Sequence, residues 1–145
     1  MNRSFKDLGV SAPVVAALLA RGIETPFQIQ NLVLPNALDE RDILAKSPTG
    51  SGKTLAFGIP LVELTDRQDG PCAAVVLVPT RELATQVTEE LSVIAAARKL
   101  KVTAVYGGVP LPAQAKRAAA AHILVATPGR LTDLVSRKLI SLAKV

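Results

Sequence analysis

The chain has 145 residues, of which 49% are apolar. That is enough for one domain with a real core and excludes a disordered polypeptide. No apolar stretch approaches the roughly 20 residues that span a bilayer, and the opening MNRSFKDLGV lacks the long apolar segment of a secretory leader. A soluble, cytoplasmic protein is expected. The net charge of +5 is unevenly placed: residues 1–72 hold 7 Lys/Arg and 8 Asp/Glu, residues 73–145 hold 10 and 4. Read from charge alone, the basic second half either faces a polyanion or is a set of solvated helix faces.

In chain order, the first helix signal is TPFQ (Thr25 to Gln28). It places Thr at the N-cap, Pro at the first helical position and Gln three residues on, the pattern of a capping box. Next comes the apolar run DILA (Asp42 to Ala45), read as a strand, followed by KSPTGSGKT (Lys46 to Thr54). A strand, a Gly-rich turn and a helix opening with Lys-Thr form a cradle of backbone N–H groups suited to phosphate. Gly50 and Gly52 let the backbone approach the ligand, Lys53 is expected to reach the outer phosphates, and Thr54 to offer its hydroxyl to Mg²⁺. The pattern G-x-x-x-x-G-K-[ST] is met except at its first position, where Ser47 stands.

Three further strands are predicted at AAVVLV (Ala73 to Val78), VTAVY (Val102 to Tyr106) and HILVA (His122 to Ala126). The longest helical segment starts at Thr80, with Leu83, Val87, Leu91 and Ile94 recurring on one face. Ala118 to Ala121 reads as a helix end, and TPGR (Thr127 to Arg130) as another Thr-Pro helix start. Apolar strands alternating with helices predict an α/β fold, a parallel sheet covered on both faces. Cys72 and His122 have no sequence partners for a disulfide or a metal and are read as structural. No strand ends in an acidic residue, so the carboxylates that hydrolysis of a nucleotide needs are not evident; Glu63, Asp66, Glu82, Glu89 and Glu90 all fall in helical segments.

Together these motifs resemble the DEAD-box RNA helicases. SPTGSGKT is similar to that family's phosphate loop A-x-T-G-x-G-K-T, with Ser47 in place of alanine; GIETPFQIQ (Gly22 to Gln30) resembles the Q motif. PTREL (Pro79 to Leu83), the pair Gly107 and Gly108, and TPGR follow in the family's order, so the resemblance covers essentially the whole chain. It implies a RecA-like P-loop sheet flanked by helices and incomplete at the C-terminus, ending before the Asp-Glu-Ala-Asp motif. Residues 1–31 are the Q-motif region and residues 32–145 the ATP-binding core. A second RecA-like domain is expected in the parent protein.

The resemblance also implies roles. ATP and Mg²⁺ are the expected cofactors, held by Ser47, Pro48, Thr49, Gly50, Ser51, Gly52, Lys53 and Thr54, with Lys53 and Thr54 catalytic and Thr54 the metal contact. Gln30 is expected to read the adenine edge, one donor and one acceptor matching its amino group and N7, and Phe5 to stack on the base. Without the family pattern, Gln30 reads as a polar helix position and Phe5 as a core anchor. Pro79, Thr80, Arg81, Gly107, Gly108, Thr127, Pro128, Gly129 and Arg130 are expected to hold an RNA backbone irrespective of sequence, since the chain has too few aromatics for a base-stacking platform. For Arg81 and Arg130 the other reading is an ion pair with Glu82 or Asp133. The chain then reads as the ATP- and RNA-binding portion of a helicase, inactive in hydrolysis by itself. The alternatives are a stand-alone nucleotide- or RNA-binding module and a small P-loop kinase, the last leaving PTREL and TPGR unexplained.

Overall fold

A computed structural model describes residues 3–145; Met1 and Asn2, at the start of the expected Q-motif region, lie outside the described residues. Its elements are α1 (Ala12–Ala20), α2 (Gln28–Leu38), α3 (Lys53–Leu64), a short 3-10 turn (Arg67–Asp69), β1 (Ala74–Leu77), α4 (Arg81–Ala97), β2 (Val102–Val105), α5 (Leu111–Ala118), β3 (Ile123–Ala126) and α6 (Pro128–Ser136). The strands form a parallel sheet in the order β1-β3-β2. Because parallel strands bury both faces, each can be apolar throughout, and β3 is buried at all four positions.

Side-chain alternation along the strands divides the core in two. Ala74, Ile123 and Val125 point into a cluster shared with α1, α3 and α4, including Leu18, Ile59, Leu91 and Ile94. Leu124, Ala126 and Val105 point the other way, against Ala115 and Ala118 of α5 and Leu131 and Leu134 of α6. Each fully buried Leu or Val stabilises the fold by about 1.5–3 kcal/mol, so the central strand is the most expensive place to cut a side chain back.

Two local expectations are corrected. Asp42 to Ala45 is not a strand: residues 41–48 form no regular structure, and Leu44 is fully exposed. A strand exists only by pairing its backbone with a neighbour, and this segment is separated from β1 by a cleft of about 670 Å³ walled by Ile43 and Ala45 on one side and Val75 and Val76 on the other. The helix expected to start after Thr25 begins instead at Gln28, with Phe27 as its N-cap, because Gln30 Oε1 accepts the Phe27 N–H at 2.9 Å and anchors the first turn there. The other boundaries follow the sequence: Thr80 Oγ1 accepts from Leu83 N–H at the start of α4, and Thr127 and Pro128 open α6.

Four helices end alike. The N–H of the second residue past the C-cap reaches back to a carbonyl in the last turn: Ile23 to Leu18, Arg41 to Asn36, Leu100 to Ala95 and Leu139 to Leu134. This closure puts the residue in between at positive φ, a conformation suited to glycine. Gly22 fills the first such position, but Glu40, Lys99 and Lys138 fill the other three at φ of 59°, 59° and 58°.

Cys72 is buried, and desolvation pushes its thiol up from the ordinary range, leaving it an inert packing group. His122 is a tie: Nδ1 accepts from Lys101 N–H and Nε2 donates to the Arg67 carbonyl, both at 3.0 Å. Both residues are structural, as the sequence suggests.

Glu63 of α3 makes the tightest polar knot. Its side chain, 8% exposed, accepts from the Ser11 N–H (2.9 Å), the Ser11 hydroxyl (2.7 Å) and Arg98 NH1 (3.1 Å), joining the start of α1 and the end of α4 to α3. Removing the carboxylate strands three donors at once. Glu63→Ala is expected to lower unfolding free energy by about 3 kcal/mol in urea titration, and Arg98→Ala, whose side chain is 30% exposed, by distinctly less. A Glu63→Ala loss below that of Arg98→Ala would contradict the assignment.

Candidate functional site

The segment after the cleft folds into a tight loop. Ser51 N–H donates to the Pro48 carbonyl at 3.3 Å, and Gly50 and Gly52 take φ of +80° and +86°. Gly52 is the N-cap of α3, and no side chain caps that end. The first N–H groups of the helix are therefore free to meet an anion, which the helix dipole also favours. Lys53 Nζ donates to the Ser47 carbonyl, so the ammonium lies folded over its own loop. Ser51 Oγ is buried without a hydrogen-bond partner. Uncapped N–H groups, an ammonium and an orphan hydroxyl at one loop are the donor set that a polyphosphate would satisfy.

A cavity of about 560 Å³ opens beside this loop, bounded by Thr49, Gly50 and Gly52 to Leu55, by Ile23, Thr25, Phe27 and Gln30, and by Leu83, Gln86 and Glu90 of α4. Gln30 is 2% exposed and both ends of its amide are engaged: Oε1 with Phe27 N–H, and Nε2 donating to the Gly52 carbonyl at 3.1 Å. It fastens α2 to the loop. Phe5 does not reach this cavity. It is 2% exposed and packs in the core cluster that also holds Leu8, Val14 and Leu18, so the ring is an anchor here rather than a stacking surface. The aromatic side chain at the cavity is Phe27, 58% exposed, which sequence reasoning left without a role.

The second group of expected residues gathers at the ends of the strands. The register pairs Leu77 and Val105 with the same residue of β3, Ala126, so the three loops that follow leave the sheet level with one another. Pro79 and Thr80 are exposed, with the Thr80 hydroxyl used as the cap of α4. Arg81 lies over the Tyr106 ring, 4.9 Å from its centroid, a cation–π contact. Gly108, at φ +85°, sits against Arg81, whereas a Cβ on Gly107 or Gly129 would meet nothing within 4 Å. Thr127 N–H donates to the Val105 carbonyl, which stitches the TPGR turn to β2.

Arg130 is held from two sides. Its NH1 donates to the Val109 carbonyl at 3.1 Å and to Gln114 Oε1 at 2.9 Å. The ion pairs considered for the two arginines do not form: Asp133 pairs with Arg137 at 2.8 Å, and Glu82 is not a partner of Arg81. Gln114 was missed by sequence reasoning, although Leu111, Ala115 and Ala118 place it on the inward stripe of α5, where a polar residue needs an explanation.

The two groups are neighbours through α4, whose first residue, Arg81, meets Tyr106 while Leu83, Gln86 and Glu90 line the cavity by the loop. Within that loop the two left-handed glycines differ in surroundings. A Cβ on Gly52 would sit 2.5 Å from Gln30 Nε2 and 2.6 Å from Phe27 Cδ2, but one on Gly50 would meet nothing. Gly50→Ala should therefore carry only the backbone cost of about 1–2 kcal/mol, and Gly52→Ala that cost plus displacement of the Gln30 amide, about 1 kcal/mol more. Thermal unfolding of the two variants checks this; equal losses would contradict it.

Comparison with known proteins agrees with this geometry. The sequence model of the DEAD/DEAH box helicase family matches residues 27–145. A probable ATP-dependent RNA helicase of Methanocaldococcus jannaschii is 41% identical over 98% of this chain, and the DEAD-box ATP-dependent RNA helicase CshA of Geobacillus kaustophilus is 38% identical over 98%. The chain spans 39% and 31% of the lengths of those two relatives. Among solved structures, a DEAD box protein from Methanococcus jannaschii superposes with a TM-score of 0.92 at 38% identity, over all of this chain and 40% of that one. Dbp5 of S. cerevisiae, solved bound to RNA and ADP BeF3, gives 0.85 at 29% identity over 98% of this chain and 36% of its own. With its RecA-like sheet, its glycine loop before α3 and three motif loops on one rim, the chain belongs to the DEAD/DEAH box helicase family.

Proposed function

We propose that this chain is the ATP- and RNA-binding portion of an ATP-dependent RNA helicase that remodels RNA duplexes. Residues 1–31 form its Q-motif region and residues 32–145 the ATP-binding core of the first of two RecA-like domains. The observation that carries the proposal is the level exit of the three strand-end loops beside the phosphate loop, with α4 walling both.

ATP with Mg²⁺ supplies the phosphoryl group whose loss drives the cycle. Ser47 to Gly52 wrap its phosphates with backbone N–H groups, and Lys53 exchanges the Ser47 carbonyl for phosphate oxygens. The Thr54 hydroxyl is the metal contact. Among the described residues no group of three or more His, Cys, Asp or Glu forms a metal site. The carboxylates that complete the metal shell and orient water are assigned to the remainder of the longer parent protein. The RNA side uses Arg81 as a fixed cation and the open backbone at Gly107 and Gly129 for close approach of phosphates, with Pro79, Thr80, Gly108, Thr127, Pro128 and Arg130 shaping the surface. Such contacts read backbone, not bases.

Gln30 reads adenine with the second lone pair of Oε1 and the second hydrogen of Nε2 while keeping its bonds to Phe27 and Gly52, with the buried Phe5 supporting the N-terminal region from the core. ATP is then bound more tightly than GTP. Because Nε2 also holds the Gly52 carbonyl, Gln30→Ala should weaken both nucleotides and bring their affinities together. Fluorescence titration with labelled ATP and GTP tests this, and equal affinities in the unmutated chain would sink the adenine assignment.

The 145-residue chain by itself is expected to release phosphate from ATP only at background rate, with or without RNA. A trans-supplied arginine alone is worth about 10³–10⁵ in related systems, and the carboxylates are a second deficit. Phosphate release measured with Lys53→Ala as the contamination control decides it: RNA-dependent turnover abolished by that substitution would show the chain to be catalytic.

A further inference from the structure

Gln114 lies in the middle of α5 and is 1% exposed. Its Oε1 accepts two hydrogen bonds, from Arg130 NH1 at 2.9 Å and from the Tyr106 N–H at 3.3 Å. A carboxamide oxygen has two lone pairs, so its acceptor capacity is fully used. Each bond leads to a different motif loop. Tyr106 is the residue at which the chain leaves β2 for Gly107 and Gly108, and its ring carries the Arg81 guanidinium from the start of α4. Arg130 closes the TPGR turn at the start of α6 and also grips the Val109 carbonyl at the far end of the glycine loop. Arg81, Tyr106, Gln114, Arg130 and Val109 thus form one connected path, and the only buried side-chain joint in it is the Gln114 amide.

We infer that Gln114 is a positioning residue that holds the PTREL, Gly107–Gly108 and TPGR loops in one mutual register, so that an RNA backbone meets all three at once. This rests on the RNA reading proposed above. Apolar packing alone does not require this amide: Leu111, Ala115 and Ala118 already hold α5 against the sheet. What the amide adds is direction. One bond is to a backbone N–H, which fixes the turn out of β2, and the other is charge-assisted, which fixes the azimuth of Arg130. Without both, the loops remain tethered to their strands but lose their common setting.

The test compares the unmutated chain with Gln114→Met, which keeps the volume and removes the acceptor, and Gln114→Glu, which keeps two acceptor lone pairs. Binding of a fluorescent oligouridylate is followed by anisotropy over a range of KCl concentrations, and amide hydrogen exchange is followed at residues 106–109 and at Thr127, Gly129 and Arg130. Gln114→Met is expected to weaken oligouridylate binding about tenfold and to lower the log–log salt slope by about 0.7 for each phosphate that the loops cease to hold. Exchange should quicken in both segments together. Gln114→Glu should restore affinity and protection, and Gln114→Met with Arg130→Met should bind no more weakly than the worse single variant, because both break the same joint. If Gln114→Met has no cooperative melt, Arg130→Met alone opens the joint from its outer side and must still quicken exchange at residues 106–109. A folded Gln114→Met chain with unchanged affinity, slope and exchange would overturn the inference. Failure of the unmutated chain to bind oligouridylate at low salt would instead retire the RNA reading, and the coupling of the loops would then be judged on exchange alone, where a change confined to one segment refutes it.

Discussion

The pairing of Ile123–Ala126 with a parallel neighbour on either side governs where everything else in the molecule can be. Both edges of this strand are hydrogen-bonded and both faces are buried, so its register is fixed by backbone pairing and by packing together. A slip of one residue would exchange Leu124 for Ile123 between the two halves of the core and move every strand-end loop out of line. Because β1 and β2 are registered to the same four residues, Val78, Tyr106 and Thr127 leave the sheet side by side. Loops far apart in the chain become one surface for that reason, in the position where open α/β sheets place their ligands.

Helix α4 carries the connection between that surface and the phosphate loop. Its inward stripe of Ala84, Val87, Leu91 and Ile94 is buried, and Arg98 at its far end is tied to Glu63 of α3. The helix therefore moves with α3, whose N-terminus is the phosphate loop itself. Its outward residues at the start divide between Arg81, stacked on Tyr106, and Leu83 and Gln86 at the cavity. A rigid element with one end at each candidate site is a physical basis for coupling between them, without a continuous chain of polar contacts.

Much of this was legible in the chain. The apolar runs at Ala73, Val102 and His122 became strands because such runs can be buried on both faces of a parallel sheet, and the Thr80 and Thr127 helix starts obeyed local capping rules that depend on few neighbours. Asp42 to Ala45 has the composition of a strand but not the partner, and pairing is a property of the surroundings rather than of four residues. The start of α2 moved because Gln30, not Thr25, supplies the bond that ends the loop. The family pattern points Phe5 at a base, while its burial follows from the apolar residues around it, Leu8, Val10 and Val14. Gln114 and Glu63 were hardest to read. Each matters through partners on other elements; the inward stripe of α5 marks Gln114 as buried but not what it bonds to, and nothing local distinguishes Glu63 from a surface Glu on a helix.

The four matching helix ends bear on how much substitution this sequence can absorb. A side chain at positive φ is strained by about 1 kcal/mol relative to glycine, and Glu40, Lys99 and Lys138 each accept that strain while Gly22 avoids it. None of the three lies in the phosphate loop or the strand-end loops. They form a reserve of stability set apart from those loops, one that glycine or asparagine at those turns would release. A lineage of this domain could draw on that reserve to tolerate destabilising changes in the phosphate-loop and strand-end segments, so the freedom to vary those loops is set partly at the opposite ends of the helices that support them.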